Sequence, residues 1–170
     1  TRFKSRADLV GAMGTSSGGH LVVLNGMKPE DPRYAARDMP GFDARTRYVV
    51  TLWPVICPLG RFHHPGAIAA GEAAYGYDEN PVPMQKKYWL TENAMEEGSP
   101  LLALERGDAV EQPSILYVQH RDDGLHPAEI MDRFVAAYRA RGGEIQLENF
   151  GGERYDSLRA EPSSEIAQRV

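Results

Sequence analysis

Ser16 is the residue whose surroundings point most directly to chemistry. It lies in the pentapeptide 14–18, Gly-Thr-Ser-Ser-Gly, between a short apolar segment and a second one closed by Gly26. A serine on a sharp turn between a strand and a helix is forced outward, and flanking glycines let neighbouring backbone approach. The pattern predicts a nucleophilic serine, with the Ser17 N–H at the helix N-terminus as an oxyanion donor. A glycine-rich turn without chemistry is the alternative.

A phosphate-binding loop is a rival interpretation of the same glycines. The spacing from Gly14 to Gly19 has the required length. The two positions that should carry lysine and then serine or threonine hold His20 and Leu21 instead. Because those two side chains contact the phosphates and their metal ion, the sequence excludes this rival.

A carboxylate for such a serine is expected at the end of a later strand. Serine nucleophiles on this kind of turn are followed along the chain by an acid and then a histidine. Asp122 and Asp123 come directly after the predicted strand 113–119, where open α/β sheets place their functional groups. Either aspartate could orient an imidazole. The alternative is that they form a turn or cap the helix that Pro127 opens.

The histidine that should complete the set is missing from its expected place. The segment 150–158, after the predicted fourth strand, contains no histidine, and the last histidine of the chain is His126. His120 and His126 flank the aspartates, and either could approach Ser16. The remaining histidines, His20 and the pair 63–64, have no predicted role in catalysis.

The elements that must position these residues alternate between strands and helices. Continuously apolar strands are predicted within 9–13, 48–53, 113–119 and 145–150. A helix with apolar residues at 3.6-residue spacing follows Pro127 and ends at the glycines 142–143, and a last helix is predicted from Pro162. This order predicts the α/β class, with a mostly parallel sheet flanked by helices on both faces. Residues 54–106 are predicted to form an excursion from the sheet, rich in proline and glycine over 54–82 and helical over 83–106 with a break at Pro100.

Length, net charge and cysteine count limit the classes of partner that the chain could have. The chain has 170 residues, a formal net charge of −5 and one cysteine, Cys57. These values are typical of one folded domain. They disfavour nucleic acid as the main partner and exclude an intramolecular disulfide. No apolar run approaches the roughly 20 residues of a membrane helix. No metal or organic cofactor is implied, and a cytoplasmic location is expected from the absence of an export signal and of a disulfide framework.

The chain resembles the α/β-hydrolase superfamily, specifically the bacterial esterase/lipase group related to dipeptidyl-peptidase-like and hormone-sensitive-lipase-like enzymes. The segment 10–21 around the Ser16 turn and the segment 122–127 carry the resemblance. The resemblance implies Ser16 as nucleophile, Asp122 as acid with Leu125 in place of a family valine, and the Ser17 N–H as an oxyanion donor. It also implies that residues 54–106 are a cap-like or loop-rich insertion.

Two departures from that family shape the functional hypothesis. Tyr155 stands where the family has its catalytic histidine, and a phenol with a pKa near 10 is a poor general base at neutral pH. The family's early strands would precede Thr1, so the resemblance covers only the C-terminal part of the fold. The chain is therefore expected to be a fragment, or to have its sheet edge covered by a second chain or another copy of itself.

The resulting hypothesis is a serine hydrolase that cleaves small carboxylic esters through an acyl-enzyme on Ser16. A catalytically impaired hydrolase-like binding module and one chain of a two-chain hydrolase are the alternatives. The excursion is rich in aromatic residues, which could pack in the core or line a substrate pocket; they are Phe62, Tyr75, Tyr77, Tyr88 and Trp89. The sequence predicts neither the acyl group nor the alcohol.

Overall fold

A computed structural model describes residue 6 and residues 8–34 and 43–150. Four parallel strands form one sheet in the order β1-β2-β3-β4. They are β1 (Gly11–Thr15), β2 (Tyr48–Leu52), β3 (Ser114–His120) and β4 (Ile145–Phe150). All four match the predicted strand segments to within two residues at each end. The predicted last helix lies outside the described residues, as does Tyr155.

Helices occupy most of the chain between the strands. They are α1 (Ser16–Met27), α2 (Pro58–Phe62), α3 (Pro65–Tyr75), α4 (Pro81–Trp89), α5 (Glu92–Glu97), α6 (Pro100–Arg106) and α7 (Ala128–Ala140). The segment 58–75 is more helical than predicted, because its prolines begin helices rather than interrupt them. Proline suits the first turn, where its fixed φ fits and its missing N–H would have had no partner. Both helices of this segment are also capped by a side chain, from Cys57 in α2 and His64 in α3.

The main core lies on one face of the sheet. Helices α1, α6 and α7 pack there against alternate residues of the strands, including Val49, Ile115 and Tyr117. Successive side chains of a strand point to opposite faces, so the intervening residues form a second cluster around Trp53 and Val118. Within the described part of the chain, no helix residue belongs to that second cluster. Among these residues, no helix is both long and apolar enough to cross a membrane.

Candidate active site

The turn that carries Ser16 joins β1 directly to α1. Ser16 is the first helical residue and has φ = 50°, in the left-handed region that non-glycine residues rarely adopt. Such strain typically marks functional turns, because only the surrounding structure can maintain it. Gly14 makes the turn possible, since a Cβ there would lie 2.3 Å from the Gly18 carbonyl oxygen. A Cβ at Gly18 itself would meet nothing within 4 Å.

The Ser16 hydroxyl faces an imidazole that is held by a carboxylate. Ser16 Oγ lies 3.4 Å from His126 Nε2, and His126 Nδ1 lies 2.6 Å from Asp123 Oδ2. The imidazole and the carboxylate are both buried, whereas Ser16 is half-buried. A proton on Nδ1 satisfies the carboxylate and leaves the Nε2 lone pair directed at the hydroxyl. The three side chains thus form a continuous hydroxyl–imidazole–carboxylate series.

Buried hydrogen bonds fix the loop that carries His126 and Asp123. The second oxygen of Asp123, Oδ1, accepts from the backbone N–H of Leu125 at 2.9 Å and of His126 at 3.3 Å. From β3, the amide Nε2 of Gln119 donates to the His126 carbonyl at 2.7 Å, and Tyr117 Oη donates to the other end of that amide at 3.1 Å. The position of the imidazole is therefore set by the sheet itself.

Ser16 and His126 open into a cavity of about 700 Å³. Ser17, in the first turn of α1, also lines this cavity, and the first N–H groups of a helix lack intrahelical partners. Much of the wall is aromatic or aliphatic, contributed by Trp53, Tyr75, Met84, Tyr88, Trp89 and Leu125. Three of the aromatic residues predicted from the excursion therefore line the cavity, while Phe62 and Tyr77 are not part of its lining.

His20 also lines the cavity but is not placed to act as a base. Its Nε2 lies 2.7 Å from the carbonyl oxygen of Gly98, so this nitrogen carries the proton. The ring is buried and edge-on to Trp89, with 5.4 Å between the ring centroids. Burial lowers the pKa of His20 and keeps the ring neutral, because the charged form would lose its hydration.

The other sequence-predicted residues lie apart from Ser16 or outside the description. Asp122 is exposed, and its backbone N–H donates to His120 Nδ1 at 3.1 Å. Within the described part of the chain its carboxylate makes no hydrogen bond or ion pair, whereas the carboxylate of the adjacent Asp123 contacts His126. The position of Tyr155, expected for the family's histidine, lies outside the described residues. In the part that is described, no group of three His, Cys, Asp or Glu side chains could hold a metal ion.

His126 has no catalytic role assigned by the sequence pattern, although it is one of the two histidines beside the aspartates that could approach Ser16. The available signal was the three-residue spacing between Asp123 and His126, which lets one short loop supply both an acid and an imidazole. That spacing is common in turns and could not by itself separate His126 from His120. The structure identifies His126, because its Nε2 lies 3.4 Å from Ser16 Oγ.

Solved structures provide the comparison for this arrangement. A Thermogutta terrifontis esterase 2, phosphonylated by sarin, is 18% identical with a TM-score of 0.65, over 94% of this chain and 52% of its own. The Francisella virulence factor BioJ is 16% identical with a TM-score of 0.59, over 94% of this chain and 48% of its own. Pyrococcus horikoshii acylaminoacyl peptidase is 15% identical with a TM-score of 0.58, over 93% of this chain and 22% of its own.

The chain has an α/β-hydrolase fold. It spans about half the length of the T. terrifontis esterase and of BioJ, and about a fifth of the length of the peptidase. Comparison with protein-family models gave no match, and neither did comparison with curated protein sequences. The fold predicted from the Ser16 turn is thus confirmed, and within this α/β-hydrolase fold the turn stands at the carboxyl end of a parallel strand.

Proposed function

We propose that this chain is a serine hydrolase of carboxylic esters in which Ser16 is the nucleophile and His126 the general base. The observation that carries the proposal is the series from Ser16 Oγ to His126 Nε2 and from His126 Nδ1 to Asp123, at 3.4 and 2.6 Å. A nucleophile, its base and the group that orients the base are the parts that acyl transfer requires. The acid in this proposal is Asp123, in place of the Asp122 expected from the sequence.

The reaction follows from the positions of these atoms. His126 Nε2 takes the hydroxyl proton as Ser16 Oγ bonds to the ester carbonyl carbon, and the resulting oxyanion is stabilised by the Ser17 N–H at the start of α1. The imidazolium then gives its proton to the alkoxide oxygen as the carbon–oxygen bond breaks, which leaves an acyl-enzyme. Water, deprotonated by His126, attacks the acyl carbon, and the proton returns to Ser16 Oγ as the acid leaves. Asp123 remains ionised throughout and stabilises the imidazolium.

One further observation favours esters as the substrates. The aromatic and aliphatic wall of the cavity suits the apolar part of an ester, because burial of that surface supplies binding energy. The proposal does not require a base at Tyr155.

Labelling with a fluorophosphonate probe tests this proposal, since such probes report an activated serine. The T. terrifontis esterase is itself phosphonylated by sarin, a related organophosphorus reagent. We expect mass spectrometry to locate the label on Ser16 in the purified chain, with no label at that site in Ser16→Ala. Labelling should slow at least ~10³-fold in His126→Gln, by analogy with the loss of a triad member, and stay within about twofold in Tyr155→Phe.

The variants His126→Gln and Tyr155→Phe distinguish the two residues that could act as the general base. Labelling that survives in His126→Gln and is lost in Tyr155→Phe would assign the base to Tyr155 and overturn the role of His126. Absence of label on a chain shown to be folded by circular dichroism would overturn the hydrolase proposal and favour the impaired binding module. A Ser17→Ala variant serves as the control, because it keeps the backbone N–H and removes only a neighbouring hydroxyl.

A further inference from the structure

Arg61 is a buried cation in the wall of the cavity that contains Ser16. Its side chain is 7% exposed and projects from the short helix α2. Its hydrogen bonds go to one neutral group: Nη2 donates to Gln85 Oε1 at 2.8 Å and Nε donates to the same oxygen at 3.3 Å. Within the described residues, no carboxylate forms an ion pair with this guanidinium, and its hydrogen bonds come from Nε and Nη2.

This arrangement is energetically unusual for a structural arginine. Removing a charge from water costs several kcal/mol unless a counter-charge and further hydrogen bonds compensate. Gln85 offers only an amide dipole, and its own Nε2 donates to the carbonyl of Pro58 at 2.8 Å. Burial lowers the pKa of Arg61 to about 10, opposed by the charge of Asp123. The guanidinium is therefore still charged at neutral pH, and within the described residues Asp123 acts on it through its charge without forming an ion pair with it.

The location of Arg61 indicates which molecule could supply an anionic partner for its guanidinium. Arg61 and Gln85 line the same cavity as Ser16 and His126, so a molecule bound at Ser16 can extend to the guanidinium. The fork of an arginine matches the two oxygens of a carboxylate, and burial strengthens such a charge-assisted pair. Asp123, whose charge acts on Arg61, is already hydrogen-bonded to His126 and to two backbone N–H groups.

We propose that Arg61 binds a carboxylate of the substrate, so that the preferred esters are half-esters of dicarboxylic acids or similar anionic esters. The assignment rests on the proposed function, because Ser16 fixes where the ester carbonyl lies. The aromatic wall then contacts the carbon chain between the two ends of the substrate. Arg61 is in this sense a specificity-determining residue, and it takes no part in the bond-making steps.

A matched pair of substrates tests the proposal. Ethyl valerate and monoethyl glutarate have the same ethyl ester and an acyl chain of the same length, and differ in a terminal methyl or carboxylate. In a pH-stat assay we expect a higher kcat/KM for monoethyl glutarate with the unmodified chain. The ratio of the two kcat/KM values should fall about 10- to 100-fold in Arg61→Met, the range of a lost charge-assisted hydrogen bond, and less in Arg61→Lys.

A rival role for Arg61 predicts a different result. If the guanidinium acts only by stabilising the charge of Asp123, Arg61→Met lowers kcat/KM for both esters by the same factor and leaves their ratio unchanged. That result would overturn the carboxylate site. Should Arg61→Met fail to fold, Gln85→Glu replaces it: a carboxylate at position 85 would pair with Arg61, and the ratio should fall although the arginine remains. An unchanged ratio in a folded Gln85→Glu chain would also overturn the proposal.

A binding measurement separates failure of this site from failure of the proposed function. In Ser16→Ala, which cannot form an acyl-enzyme, binding of each ester is followed by the fluorescence of Trp53 and Trp89, which line the cavity. Tighter binding of monoethyl glutarate that is lost in Ser16→Ala/Arg61→Met supports the carboxylate site even if neither ester is hydrolysed. Hydrolysis of both esters at equal kcat/KM, with equal binding to Ser16→Ala, would overturn the site and leave the hydrolase proposal standing.

Discussion

At the scale of single residues, the adjacent aspartates after β3 form a matched pair for mutation. Asp123→Asn removes the charge beside His126 Nδ1, and the new amide can present an N–H that stabilises the wrong tautomer of the imidazole. We expect hydrolysis to fall about 10³- to 10⁴-fold in Asp123→Asn. Asp122→Asn should stay within about twofold, since Asp122 is exposed. Steady-state assays of both variants with one ester check this expectation, and equal melting temperatures show that both are folded. A larger loss of activity in Asp122→Asn than in Asp123→Asn would restore Asp122 as the acid.

His20 gives a second prediction at this scale, for stability against pH. Burial lowers its pKa below the value of about 6.5 expected in the unfolded chain, so the unfolded state binds more protons as the pH falls. The contribution of His20 to stability is therefore complete above pH 6.5 and declines below it, by at most ~1.4 kcal/mol per pH unit. Urea unfolding at pH 7.5 and 5.5 should show a smaller loss for His20→Gln than for the unmodified chain. An equal loss in both would contradict a neutral His20.

The position of Ser16 on a turn from a strand to a helix could be predicted from the sequence because its signal is local. The glycines, the preceding strand and the following helix all lie within about fifteen residues of it. The pairing of Ser16 with His126 spans 110 positions along the chain, and nothing near either residue encodes it. Which of two adjacent carboxylates turns inward depends in the same way on how the loop folds onto Gln119.

At the scale of elements, Gly14 and Gly18 in the Ser16 turn should differ sharply in how well they tolerate replacement by alanine. A Cβ at Gly14 would collide with the backbone of Gly18, which cannot move without displacing α1 from β1. Gly14→Ala is therefore expected to destabilise the chain by about 2–4 kcal/mol. Gly18→Ala places a methyl group in open space within a helix and should be neutral or stabilising by up to about 1 kcal/mol. Chemical denaturation of both variants checks the contrast, and similar losses would contradict it.

Sequence patterns predict the strands of this fold but not all of its helices. The four strands could be predicted because buried parallel strands are continuous runs of β-branched, aliphatic and aromatic residues. The helices α2 and α3 were not predicted, because Pro58 and Pro65 are equally compatible with a loop and with a helical first turn. Their capping contacts from Cys57 and His64 are visible only in three dimensions. Because α2 was not predicted, the position of Arg61 in the wall of the cavity could not be predicted either.

At the scale of the whole molecule, β1 lies at the edge of the sheet among the described residues. Apolar side chains on and beside it face solvent: Met13 is 64% exposed and Leu9 is 54% exposed. An edge strand with exposed apolar side chains favours pairing with another chain. The partner expected from the sequence, a second copy or a second chain, would cover this edge. We therefore expect the chain by itself to have a molar mass above its monomer mass of 18.8 kDa in light scattering after gel filtration.

Substitution at the edge tests whether β1 causes that association. Met13→Lys places a charge on the exposed side of the strand, and lysine on an edge opposes strand pairing. The measured mass should then shift toward 18.8 kDa. Tyr77→Lys is the control, because Tyr77 is 81% exposed but lies between α3 and α4, away from β1. Association that responds to Tyr77→Lys rather than Met13→Lys would place the contact beside the cavity. A molar mass of 18.8 kDa for the unmodified chain would contradict the expected partner at this edge.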